Sequence, residues 1–97
     1  MNAKLIEATV GKESERARLM QVVELLPELK SIAGEFFEVE SVEFESDPEV
    51  DFNYFDICVR ASGDVKDICK RRQQFHRRTD DILGDNADLV RLLIQVV

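Results

Sequence analysis

The sequence predicts an α+β fold: a two-layer sandwich with two helices on one face of an antiparallel sheet. Three observations predict it. Apolar residues recur at three- and four-residue steps in two segments, from Ser14 to Gly34 and from Asp64 to Gly84. Alternating apolar and polar residues mark strands in "FFEVESVEFES", "DFNYFDICVRA" and "LVRLLIQVV". The 97 residues, 44% hydrophobic and 34% charged, make one domain spanning residues 1–97 that builds a core without staples.

The first element reads two ways. As a strand, "AKLIEATV" aligns Ile6, Ala8 and Val10; as a helix, it pairs Ile6 with Val10. The strand gives a ferredoxin-like βαββαβ order, and the helix gives ααββαβ with a three-stranded sheet. Gly11, a break between two elements, favours the first. The next helix carries Leu19, Val22, Val23, Leu26, Leu29 and Ile32 on one stripe, with Glu13 and Glu15 at its positive end. Pro27 calls for a kink or a fresh helical turn, and Gly34 for a stop.

In the first clear strand Phe37 and Val39 point one way, while Val42 and Phe44 are out of phase with them. A one-residue slip near Glu40 and Ser41 implies a β-bulge, or a strand that begins only at Val42. "SDPEV" is a turn. In the next strand Phe55, Ile57, Val59 and Ala61 share one face, and Tyr54, Asp56, Cys58 and Arg60 the other. Asp64 caps the second helix, whose inward stripe reads Val65, Ile68, Cys69, Arg72, Phe75, Thr79, Ile82 and Leu83. In the C-terminal strand Val90, Leu92, Ile94 and Val96 alternate with Arg91, Leu93, Gln95 and Val97.

Charge is laid out in blocks beneath a net charge of -7. Residues 31–59 hold nine acids and no base, and residues 60–78 hold seven bases against two acids. No apolar run spans a bilayer, and the N-terminus lacks a secretory pattern, so a cytoplasmic setting with Cys58 and Cys69 reduced is expected.

The catalytic and metal motifs fail on spacing. "GKES" lacks the upstream glycine of a phosphate loop, where Ile6 stands. "DPEVD" lacks the glycine of a calcium loop, where Phe52 stands. Asp51 and Asp56, five apart on a regular strand, point to opposite faces, which opposes a dinuclear metal site. His76 and Asp80 share a helical face but have no serine or cysteine nucleophile tied to them. Phe52 and Tyr54 could stack bases, but the acidic hairpin beside them repels phosphate.

Two function classes lead, neither needing a cofactor or metal, and an enzyme working through Asp56 or the His76–Asp80 pair is a less favoured third. The first is a non-catalytic interaction module that meets a protein partner or a second copy of itself. Its surface is Tyr54, Asp56, Cys58, Arg60, Leu93 and Val97. The second is an anion-binding protein that takes a phosphorylated ligand or nucleic acid through the basic helix 65–83, using Arg71, Arg72, His76 and Arg78. Nucleic acid is the less favoured ligand, and a membrane is not expected. The informative residue is Arg72, a charge placed within the apolar stripe.

Overall fold

A computed structural model describes residues 12–49 and 52–97. The two readings of residues 3–10, the break at Gly11, and Val50 and Asp51 in the hairpin lie outside the described residues. Helix α1 (Glu13–Phe36) is followed by strands β1 (Glu38–Asp47) and β2 (Phe52–Ala61). Helix α2 (Val65–Leu83), a 3-10 turn (Gly84–Leu89) and strand β3 (Val90–Val96) complete the order.

Helix α1 runs through Pro27 without interruption and past Gly34 to Phe36, where the Phe37 amide donates to Ala33 O. Leu19, Val22, Leu26, Leu29 and Ile32 are buried, and Pro27 faces outward. Each such burial is worth about 1.5–3 kcal/mol, so together they outweigh the ~3 kcal/mol that an interior proline costs.

The expected slip in β1 is a bulge. Val39 pairs with Val59 and Ser41 with Cys58, leaving Glu40 without an opposite residue. The extra residue restores the phase, so Val39, Val42 and Phe44 all pack against the core. Phe44 meets the buried Phe55 with ring centroids 5.3 Å apart. At the turn, the Glu49 amide donates to Asp47 Oδ1 (3.1 Å), the local bond that favours Asp at this position.

The sheet order is β1-β2-β3, with β1 antiparallel and β3 parallel to β2. The sheet is therefore mixed, which corrects the expected antiparallel one. A helical crossover returns the chain to the end where β2 began, so the strand that follows runs parallel. A split βαβ pattern needs another strand between these two, but β2 and β3 bond each other directly. The described order, α-β-β-α-β in a three-stranded mixed sheet, fits both readings of the first element and does not confirm the ferredoxin-like arrangement.

Both helices pack into one core with the face of β2 that carries Phe55, Ile57, Val59 and Ala61. Asp64 caps α2 by accepting from the Lys66 amide (3.1 Å), and Gly84 ends it at φ 56°. Ile68, Phe75, Thr79 and Leu83 are buried, and the Thr79 hydroxyl donates to Phe75 O (3.0 Å). The inward stripe differs from expectation at Val65, Cys69 and Arg72, which are exposed; Arg71 turns inward instead. At the far end, Arg18 of α1 reaches Asn86 Oδ1, Asp85 O and Asp88 Oδ1 at 2.9–3.0 Å, tying α1 to the 3-10 turn. No helix among the described residues is long and apolar enough to cross a membrane.

Candidate functional site

Alternation along β2 places Tyr54, Asp56, Cys58 and Arg60 on the sheet face away from the helices. Their neighbours follow from register. On β1, Glu45, Glu43 and Ser41 stand opposite Tyr54, Asp56 and Cys58. On β3, Arg91, Leu93 and Gln95 stand beside Asp56, Cys58 and Arg60. Val97, just past β3, continues that row and donates its amide to Ala61 O (2.9 Å).

The centre of this face is closed by an ion pair. Asp56 is 2% exposed although it lies on the outer side of the sheet. The Arg91 guanidinium covers it, Nε donating to Oδ1 at 2.8 Å and Nη2 to Oδ2 at 3.2 Å. Nη2 also donates to Tyr54 Oη (3.1 Å), with the guanidinium carbon 4.7 Å from the ring centroid. The Asp56 bond above all, and then its charge, hold the Arg91 pKa above the ordinary value. A two-pronged pair of this kind fixes the orientation of both groups and engages them with each other.

Cys58 is also quiescent. Burial pushes its thiol pKa up; the Ser41 hydrogen bond opposes that rise, and the nearby Glu43 carboxylate adds to it. Its Sγ donates to Glu43 Oε2 (3.5 Å). A thiol held neutral is a poor nucleophile. Arg60 Nε lies 3.0 Å from Glu40 Oε1 but off the N–H direction, an ionic contact rather than a hydrogen bond. The face therefore grades from acids on β1, through internal pairs on β2, to Leu93 and Val97 on β3.

The four residues of the basic helix do not converge on one point. Arg71 donates to Phe36 O (2.9 Å) and Ser62 O (3.1 Å) and lies over the Phe37 ring, 5.3 Å from its centroid. It neutralises the carbonyl end of α1 and pins the β2–α2 loop. Its Nε is 3.1 Å from Asp67, again off the hydrogen-bond direction. Arg78 pairs with Glu35 at 2.7 Å. His76 is half-buried against the edge of Phe75, at 5.4 Å between ring centroids. Burial lowers its pKa, as does Arg72, against an opposing pull from Asp80. Arg72 is exposed and has no ion-pair or hydrogen-bond partner among the described residues.

Arg71 and Arg60 instead border an open bowl of about 470 Å³ with Glu35, Glu38, Ser62 and Val97. Acids and bases balance along its wall, and Nη1 and Nη2 of Arg71 donate to backbone carbonyls. Among the described residues no group of three or more His, Cys, Asp or Glu side chains could hold a metal ion. Sequence reasoning missed Arg91 as a site residue. The signal was there: a lone base near the start of an apolar strand needs a partner, and Asp56 is the matching charge midway along β2. Comparison with known proteins finds no matching family model, curated relative or solved structure.

Proposed function

We propose that the chain is a non-catalytic interaction module, acting in the cytoplasm, that meets a partner through the β3 side of its sheet. One observation carries this reading. Of the exposed large hydrophobic residues among those described, Leu93 (42%), Val96 (59%) and Val97 (67%) gather at β3, and only Val65 lies elsewhere. Apolar side chains grouped on one strand mark a contact surface more often than scattered ones do. The middle of the open face is occupied by its own ion pairs, so Tyr54, Leu93 and Val97 are what it offers a partner. A photo-reactive residue at position 93 should crosslink to a defined protein species in cells producing the full chain, and one at Glu45 should not. Equal crosslinking from both positions, or none from 93, would remove the reading.

The anion-binding alternative rests on Lys66, Lys70, Arg72 and Arg77, all exposed on α2 and without a carboxylate partner among the described residues. It is the weaker reading, because Arg71, Arg78 and His76 are engaged within the fold. Retention on heparin that falls steeply with salt, and that Arg72→Ala weakens, is its signature.

A further inference from the structure

The two edges of the sheet are built differently. β1 presents Glu38, Glu40, Glu43, Glu45 and Asp47 and carries a bulge, the devices that keep an edge from pairing with another chain. β3 has no bulge and no acid. It is a straight seven-residue strand with one charge, no proline and no bulge. Its outer edge pairs with no strand among the described residues.

Its sequence, V-R-L-L-I-Q-V, reads nearly the same in both directions about Leu93. Val90 mirrors Val96, Arg91 mirrors Gln95, and Leu92 mirrors Ile94. We infer that β3 pairs antiparallel with β3 of a second copy, about a two-fold axis through Leu93, to form one six-stranded sheet. This inference rests on the interaction reading above and names its partner.

Backbone direction agrees with that register. The Val97 amide points at β2, so by alternation the N–H and C=O groups of Val90, Leu92, Ile94 and Val96 point outward. In the paired sheet Val90 then faces the copy's Val96, and Leu92 its Ile94, in hydrogen-bonded pairs, giving about eight interchain bonds. Leu93 meets its own counterpart in the closer, non-bonded spacing. No like charges are opposed, since Arg91 faces Gln95. Val96 and Leu93, exposed in the single chain, find apolar neighbours on opposite faces of the joint sheet. The acidic β1 edges end up at the two far sides, about 24 Å apart across six strands and well beyond the ~8 Å screening length. A chain of net charge -7 can therefore self-associate here without bringing its acidic strands together.

Sedimentation equilibrium of the full chain tests the pairing, with Gln95 as the register probe. Gln95 is exposed, so its substitutions leave the core intact, and circular dichroism checks this. The expected result is a concentration-dependent dimer. Gln95→Glu faces Arg91 across the axis twice and should tighten it about 3- to 10-fold. Gln95→Arg opposes like charges twice and should weaken it by a similar factor. Leu93→Lys should leave a monomer. A strict monomer at high micromolar concentration overturns the second-copy proposal, as does a dimer indifferent to both Gln95 changes. The crosslink from position 93 separates the two failures. A heterologous adduct on a monomeric chain sinks the dimer and keeps the interaction module, and no adduct sinks both.

Discussion

At the residue scale the buried polar groups show where single side chains are held. His76 is half-buried and its pKa lies below the ordinary 6.5, chiefly because burial penalises the imidazolium and then because Arg72 is near. The unfolded chain therefore takes up a proton near pH 6.5 that the folded chain takes up only at lower pH. Stability should be unaffected by His76 well above 6.5, should fall as pH drops through 6.5, and should level off below the folded value. Urea midpoints measured between pH 7.5 and 5.5 should show that decline, and His76→Gln should flatten it. Equal slopes for both proteins would show that the imidazole is not the group responsible. Asp56 and Arg91 illustrate a different limit. Each charge is visible in its own strand, but only the parallel register of β2 and β3 brings them within 3.2 Å of each other. Arg72 marks a third case. Residues 71 and 72 lie at nearly equivalent angles between Ile68 and Phe75, and a small helix rotation decides which one turns inward. The fold chose Arg71, whose guanidinium can reach the orphan carbonyls at the end of α1.

At the element scale, periodicity exposed most of the architecture because burial enforces it. The bulge was readable because Phe37 and the three apolar residues of β1, Val39, Val42 and Phe44, had to reach one core despite an odd spacing. What periodicity left open was direction: alternation in β3 is the same whether it runs parallel or antiparallel to β2. The bulge also makes a test. Deleting Glu40 should leave Val39, Val42 and Phe44 on the core face of a now regular strand, at the loss of one exposed ionic contact with Arg60. That contact is worth about 0.2–1 kcal/mol, so stability should change by no more than roughly 1 kcal/mol. The straightened edge should aggregate more readily, because a bulge is one of its guards. Deleting Glu43 offers no such repair; it turns Phe44 away from Phe55 and should cost about 2–4 kcal/mol. Denaturant midpoints and light scattering of the two deletions distinguish them, and equal destabilisation would contradict the role given to Glu40.

At the scale of the whole molecule, the divided charge seen in the sequence becomes a divided surface. Two contacts bridge the blocks, Glu35 with Arg78 and Glu40 with Arg60, and Asp56 of the acidic block pairs with Arg91 beyond them. They leave Glu38, Glu43, Glu45, Asp47 and Glu49 without basic partners among the described residues. Along β1 the acids at 43, 45 and 47 share one face about 7 Å apart, inside the ~8 Å screening length, so they repel one another in the folded state. Salt acts on both sides of this balance. It weakens exposed pairs such as Arg18–Asp88, each worth only about 0.2–1 kcal/mol, and it screens the repulsion of an acidic strand in a chain of net charge -7. The unpaired acids outnumber the exposed pairs that salt would loosen, so repulsion should dominate. The thermal midpoint should therefore rise between about 20 mM and 500 mM NaCl rather than fall. Glu45→Gln should raise the low-salt midpoint and shrink the salt response, since it removes the central charge of the row. A midpoint that falls with salt would mean that the bridging pairs, and not the acidic row, set the electrostatic balance of the fold.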